Sequence, residues 1–514
     1  MINKDKQLKI AVIHDHLGFC GGGERTVLLI ALDLGADFIT AYAHKDTFPD
    51  YQKQLGKKLI LFSKKIVTTR VIRFFWIRWL FWHNRKSLLE YDIVITSSNI
   101  ATEMMARYIN KEALKITYTH STPRRVFDQY EYSKKSYPLV LRSLFVIFVQ
   151  FWKWFYLRSI FLYNINIANS NCVKKRIKSH TRGEANAVLY PPIIIDKFKW
   201  LEQGDYFFSW GRVDELKRIE LIVKAFGQRL EEKLIIASGG PRLEAVKKLA
   251  ANKPNIKILG WISDENLFKL VGNCRAAVYI PVNEDSGMTH LEANAAGKPV
   301  LGVKEGGLIE SVIDKETGIL IKENPKEEDI ISAIKIMNAD WCLKRKEICI
   351  NHAKKYSKES FLKELRNIID RNDPRKFLIG IDASRWEYIY EQCKSTRVCT
   401  GACERTCKRI DVETYSKNLI KNLILLAQAR GFRIRIYTPR TIKDLPLEIQ
   451  KVIPYQRFWT IRALKRELKY SPPDYFISSK EIIAIGKEKS EEILWEDIAK
   501  KILIKIYAKS KTVS

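Results

Sequence analysis

Apolar positions along the chain fall into two alternating patterns. Short continuous runs occur at KIAVIH (9–14), YDIVITSS (91–98), LKITYTH (114–120), INIANS (165–170) and VYIPV (278–282), and they are too short for buried helices. Between them lie segments of helical period, among them the apolar-periodic run that follows the glycines in GFCGGGERTVLLIALDL (18–34) and MTHLEANAA (288–296). Strands alternating with helices predict an α/β chain with parallel, doubly wound sheets. The pattern breaks at VLYPPIIIDKF (188–198), where Pro191 and Pro192 stiffen a linker, and restarts at DYFFSWGRVDELKRIELIVKAF (205–226). It restarts again at FLIGIDASR (377–385), followed by VETYSKNLIKNLILLAQARGFRIRIYTP (412–439) and RFWTIRALKRELKYSPPDYFISS (457–479).

A length of 514 residues fits about three such units, and 46% apolar content is that of a globular chain. The formal charge of +31 is the outlier, and it is concentrated. Residues 57–86 carry nine Lys/Arg and no acid, and residues 132–183 carry ten and again none. Both tracts interleave cations with large apolar side chains, in RVIRFFWIRWLFWHNRK (70–86) and YPLVLRSLFVIFVQFWKWFYLRSIFLY (137–163). No nucleic-acid recognition motif accompanies them, so nucleic acid is not expected as a partner. Lys and Arg at anionic head groups with Trp and Phe in the interface fit a membrane surface; core helices with basic rims are the alternative. Lys153 and Arg158 interrupt the best spanning candidate, around 143–163, and MINKDKQLKIAVIHD lacks a signal-peptide pattern. The expectation is a cytoplasmic protein attached peripherally to the inner face of the membrane.

Five of the nine cysteines are scattered, as in a reducing compartment, and four cluster: Cys393, Cys399, Cys403 and Cys407. Their spacing matches no common zinc or iron–sulfur pattern, so a loop insertion with incidental thiols is favoured over a metal clip.

Candidate chemistry concentrates in NEDSGMTHLEANAAGKP (283–299), where Glu284 and Glu292 stand eight positions apart. A strand over 278–282, a loop at EDSG and a helix from Met288 put Glu284 at the loop mouth and Glu292 inside the helix. The N–H groups of Gly287, Met288 and Thr289 can then meet phosphate or sugar oxygens at the helix start. A loop carboxylate can orient sugar hydroxyls and face the charge developing at an anomeric carbon, and the helical one can accept ribose hydroxyls. Arg212 and Lys217 are two cations near a helix start, able to neutralise a diphosphate without a metal. Gly21–Gly23 form a strand–glycine loop–helix unit that lets backbone approach a ligand.

The window resembles the Glu-x7-Glu signature of retaining GT-B glycosyltransferases of family 4, usually EDFGIxxxEAxAxGKPV, with Ser286 in place of the Phe and His290 where Pro or an apolar residue is usual. Gly211-Arg212 with Lys217-Arg218 resembles the family's GR…KR, Gly22 and Gly23 its GGxE loop, Gly306, Gly307 and Glu310 its GGxxE, and THSTPRR (119–125) its CHTPxR segment.

The resemblance covers about residues 8–371 and implies a GT-B fold: two Rossmann-like domains facing a cleft, with a partial third α/β segment. The implied division is an acceptor-side domain over 1–195, a nucleotide-sugar domain over 196–355 and a returning helix over 356–372. A truncated second glycosyltransferase segment over 376–480 and a C-terminal helix over 481–514 would follow. It further implies hexose transfer with retention, from GDP-mannose, to a glycan or polyprenyl-diphosphate-linked acceptor in cell-surface polysaccharide synthesis, with no cofactor or metal. Glu284, His120, Arg212 and Lys217 would be catalytic; Gly22, Gly23, Gly287, Met288, Thr289, Glu292 and Trp261 would bind the donor; Arg124 and Arg125 are acceptor-side candidates. A UDP-sugar donor such as UDP-glucose, and a catalytically silent glycan-binding scaffold, stay open, as do acceptor, linkage and oligomeric state.

Overall fold

A computed structural model describes residues 7–97, 102–181, 183–374, 378–382, 420–426, 433–438, 450–452 and 475–477. The apolar runs become strands of three sheets. The first contains β1 (Ile10–His14), β2 (Asp37–Thr40), β3 (Leu59–Leu61), β4 (Ile93–Ser97), β5 (Leu114–Thr119), β6 (Ile165–Ala168) and β7 (Ala187–Val188), ordered β3-β2-β1-β4-β5-β6-β7. The second contains β8 (Tyr206–Ser209), β9 (Lys233–Ala237), β10 (Ile256–Gly260), β11 (Ala276–Val278), β12 (Val300–Val303) and β13 (Gly318–Ile321), ordered β10-β9-β8-β11-β12-β13. The third, β14 (Leu378–Asp382), β15 (Arg433–Thr438), β16 (Gln450–Val452) and β17 (Tyr475–Ile477), is ordered β16-β15-β14-β17. All three share the order third, second, first, fourth. The strand pairs whose register is described run parallel, as helical crossovers require.

Helices on both faces explain why the strands read as continuous apolar runs rather than alternating ones. Ile13, Ile39 and Val94 of the first sheet pack with Ile77 and Phe81 of the helix Arg70–His83. In the second sheet Phe207, Leu234, Ile236, Val278 and Leu301 pack with Ile222, Val223 and Phe226 of the helix Ile219–Phe226.

The chain divides into two compact units. One comprises Met1–Ile167, Ile177–Ala187 and Arg366–Ser514; the other comprises Ala168–Arg176 and Val188–Leu365. The short piece 168–176 has a physical reason to sit with the second unit, since Ser170, Asn171, Cys172 and Arg176 all bond to its loops. The clustered cysteines lie outside the described residues.

Lys153 and Arg158 lie within a single helix, Leu139–Ser159, and with the turn that follows, Leu139–Leu162 meets the length and mean apolarity of a membrane span by length and composition alone. Both cations are good helix formers, and each has an aromatic ring close by, Phe127 at 5.5 Å from Lys153 and Trp154 at 4.1 Å from the exposed Arg158.

Candidate active site

In the second unit, Glu284 and Glu292 occupy the connection between β11 and β12. The strand expected over 278–282 pairs in the sheet only as far as Val278, and the chain then leaves it. Two causes are visible. Pro281 has no N–H to give a ladder, and Arg218 takes the carbonyls of Ile280 and Pro281, each at 3.2 Å. Arg218 also donates to Glu305 Oε1 at 2.7 Å, and Glu305 accepts the N–H of Asn283 at 3.1 Å and of Asn324 at 2.9 Å. Burial raises the Glu305 pKa, but Arg218 and these two amides overcome it and hold the carboxyl below its usual value. This pair fixes the loop from inside.

Close backbone contact fixes it from the other side. Gly306 has φ +59, and a Cβ there would lie 2.2 Å from the Glu284 carbonyl oxygen; the Gly307 N–H donates to that oxygen at 2.8 Å. Ser170 Oγ donates to the Asp285 carbonyl at 2.5 Å, and Arg176 pairs with the Asp285 carboxylate and donates to the Asn283 carbonyl at 2.8 Å. The residue matching the family's GGxxE acid, Glu310, accepts from Asn171 N at 2.7 Å and Cys172 N at 2.5 Å, and from Tyr190 OH at 2.8 Å. Its carboxylate therefore caps the helix Asn171–Thr181.

Within this frame, Lys217 Nζ donates to Glu284 Oε2 at 2.5 Å and to the Tyr279 hydroxyl at 2.9 Å. Burial pulls the Lys217 pKa down, but Tyr279 and Glu284 more than offset it, so the ammonium is held above its ordinary value. A carboxylate and a permanent cation are thus juxtaposed. Glu292 is buried in the helix Thr289–Ala295, and its Oε2 accepts from Trp210 Nε1 at 3.3 Å. The first hydrogen bond of that helix runs from Glu292 N to Met288 O at 2.8 Å, with the amides of Gly287, Met288 and Thr289 ahead of it; Gly287 has φ +75.

The Arg212 side chain is 69% exposed and pairs at 2.6 Å with Asp214, whose carboxylate also accepts the Lys217 N–H at 3.2 Å. Trp261 follows Gly260 (φ +69), is 78% exposed, and lies across Gly239, where an added Cβ would stand 3.2 Å from the indole. His290 is fully buried, bonds Ser311 Oγ at 2.5 Å, and has its pKa lowered to about 3 by burial and then by His352. It is a neutral packing residue beneath the loop.

In the first unit, Gly22 and Gly23 open the helix Gly22–Leu34, and an added Cβ at Gly23 would stand 3.3 Å from His120 Nε2. That nitrogen is buried without a hydrogen-bond partner, and burial, then the nearby His14, lower the His120 pKa to about 4. Arg124 is engaged by Asp128 at 2.9 Å, whereas Arg125 is exposed.

Sequence reasoning missed Trp210, Tyr279, Glu305, Ser170 and Arg176 as site-building residues. Only Trp210, beside the Gly211-Arg212 pair, carried a local signal. The others are drawn in by partners distant in the chain, among them Lys217 for Tyr279, Arg218 for Glu305 and Asp285 for Ser170.

Residues 192–356 match the family model for glycosyl transferases group 1. The alpha-1,3/1,6-mannosyltransferase ALG2 of Dictyostelium discoideum is 26% identical over 439 residues, covering 72% of this chain and all of that one. An uncharacterized glycosyltransferase of Methanocaldococcus jannaschii is 31% identical over 170 residues, 31% of this chain and 43% of its own length. Among solved structures, sucrose-phosphate synthase from Thermosynechococcus elongatus superposes with TM-score 0.56 at 15% identity, over 70% of this chain and 98% of its own. WaaG, a glycosyltransferase involved in lipopolysaccharide biosynthesis, does so with TM-score 0.53 at 15% identity, over 70% and 99%. At such identities the likeness establishes the fold, which is GT-B.

Proposed function

We propose that this chain, a GT-B hexosyltransferase with its glycosyl transferases group 1 domain over residues 192–356, moves mannose from GDP-mannose, with retention, to a glycan or polyprenyl-diphosphate-linked acceptor held at a membrane surface. The observation that carries the reading is the Lys217–Glu284 contact, in the loop that leads into the helix where Trp210 holds Glu292.

In the transfer, the bond from the anomeric carbon to the leaving phosphate oxygen breaks and a bond to the acceptor oxygen forms. The acceptor proton passes to the departing phosphate. Negative charge gathers on the nucleoside diphosphate, where Lys217, Arg212 and the 287–289 amides would stabilise it; those two cations make turnover expected without an added divalent ion. Glu284 faces the anomeric carbon and orients sugar hydroxyls, Glu292 accepts the ribose hydroxyls, and Trp261 offers an exposed ring beside the base. His120 would contact the sugar as a neutral imidazole. Mannose and GDP are favoured by the mannosyltransferase relative, whose whole length this chain spans, together with the THSTPRR segment.

The membrane part of the reading rests on two stripes in the first unit. Val140, Leu144, Ile147, Phe151 and Trp154 lie exposed along Leu139–Ser159, while Phe145, Val149, Trp152 and Tyr156 on the opposite side are buried. Ile72, Phe75, Trp79 and Trp82 form a second exposed stripe on Arg70–His83, and Phe75 meets Phe148 at 5.9 Å to join the two helices. One face of Leu139–Ser159 is already packed on protein, which suits lying in the interface with cations at head-group level better than spanning. The membrane face would be the cytoplasmic one.

The test is transfer from labelled GDP-mannose or UDP-glucose to a membrane lipid extract, followed by anomeric analysis of the product. Retained α-mannosyl product lost in Glu284→Ala supports the reading. Glucosyl product would replace the donor, and absence of product with either would favour a silent scaffold.

A further inference from the structure

A group of titratable side chains at the carboxyl ends of β1, β4 and β5 is not used by the donor chemistry. His14 ends β1 and is buried, with Nδ1 2.5 Å from the carbonyl oxygen of Ser97 at the end of β4. A carbonyl only accepts, so Nδ1 carries the hydrogen and Nε2 faces Glu24, whose Oε1 is 3.7 Å away. Glu24 is buried in the first turn of Gly22–Leu34, and its other oxygen fills the place beside Gly21, where an added Cβ would come within 2.3 Å. The same turn closes on His120: Gly23 abuts the ring, and Nε2 is left buried without a partner. Tyr118 holds that ring edge-on at 5.0 Å.

We propose that His14 and Glu24 form a buried ion pair that seats the Gly21–Gly23 turn against His120, and that both act as positioning residues for sugar transfer without touching substrate. The role in transfer rests on the proposed function; the pair and its hold on His120 do not.

The electrostatics agree in direction. Burial opposes charge on both members, yet Glu24 raises the His14 pKa and His14 lowers that of Glu24. Burial first and the His14 charge second keep His120 uncharged, with Glu24 working the other way. Burial and the His14 charge thus leave His120 with one N–H and one lone pair at neutral pH, suited to a sugar hydroxyl. The other charged or titratable groups facing the cluster are Asp15 and His16 on the β1 extension and Arg73 from Arg70–His83. His16 is itself held below its ordinary pKa, by burial first, and has neither ring nitrogen bonded.

The experiment compares full-length wild type, His14→Gln, Glu24→Gln and the double variant, reading kcat and KM with GDP-mannose and the His120 titration by NMR of labelled imidazoles. Either single variant leaves one buried charge unpaired, and the double variant leaves none. Expected is a kcat loss on the order of 10²-fold in each single variant with KM little changed, as for a displaced catalytic group, and a loss no larger in the double variant, because both substitutions remove the same contact. The His120 midpoint, near 4 in wild type, should rise in His14→Gln and fall in Glu24→Gln. If a single variant does not fold, the double variant carries the test, with a His120 midpoint above that of wild type expected because burial and the His14 charge no longer act together. An unmoved His120 midpoint in folded variants overturns the proposal. Shifted midpoints in a protein that transfers no sugar would uphold the pair and reject the proposed function instead.

Discussion

Lys217→Ala separates chemistry from folding. Lys217 and Glu284 have side chains 19% and 23% exposed, so the pair is neither fully solvated nor fully dry. Breaking a fully buried pair costs about 3–5 kcal/mol, and an exposed one about 0–1. At this exposure the loss should be about 1 kcal/mol, lowering Tm by about 2–4 °C for a domain of this size. The chemical effect should be much larger, because removing one preorganised donor from a developing anion costs about 10²–10³ in kcat, or about 3–4 kcal/mol. The pH dependence carries a sign. The folded pKa of Lys217 lies above its unfolded value, so its contribution is complete below about 10.4 and is lost only as pH rises through the folded pKa. The Tm gap between wild type and Lys217→Ala should therefore be constant from pH 6 to 9. The assay is steady-state turnover with GDP-mannose beside a thermal scan of the same samples. A variant with the expected Tm loss but wild-type kcat would refute the assignment of Lys217 to the leaving group.

Three other outcomes are expected. Gly306→Ala should destabilise the second unit by about 1–3 kcal/mol and weaken donor binding together, because φ +59 and the 2.2 Å approach to Glu284 O leave no room for a methyl group; denaturant melts and nucleotide titration check it. His290 has a folded pKa near 3, below its unfolded value, so its contribution is present above pH 6.5 and is lost as pH falls toward 3; His290→Leu, with Ser311 still bonded to Gly307 O at 3.1 Å, should flatten the acid limb of Tm against pH. Replacing Phe75, Trp79, Phe151 and Trp154 with Ser should abolish co-sedimentation with anionic vesicles while leaving nucleotide binding intact.

What the sequence made legible was whatever is written locally. The Glu284–Glu292 spacing, the glycine loop before Gly22–Leu34 and the strand–helix alternation are each contained in a few consecutive residues; the alternation predicts parallel α/β sheets, and the resemblance of the motifs to a known family implied the GT-B fold. The end of β11 was not legible, because what stops it at Val278 is Arg218, sixty positions earlier in the chain, claiming the carbonyls of Ile280 and Pro281. Arg212 and Lys217 look equivalent as two cations in one phrase, yet one is tied to Asp214 in solvent and the other to Glu284 and Tyr279 inside. That Lys153 lies over Phe127 was not legible either, because the two stand far apart in the chain.

The most direct measurement is a thermal-shift panel of GDP, UDP, ADP and their common sugar conjugates on wild type and on Arg212→Ala/Lys217→Ala. A ligand at a hundred times its dissociation constant adds about 2.7 kcal/mol, a readable shift. The account predicts stabilisation of the wild type by GDP and GDP-mannose and its loss in the double variant. A shift that survives the double variant, or none with any nucleotide, would contradict it.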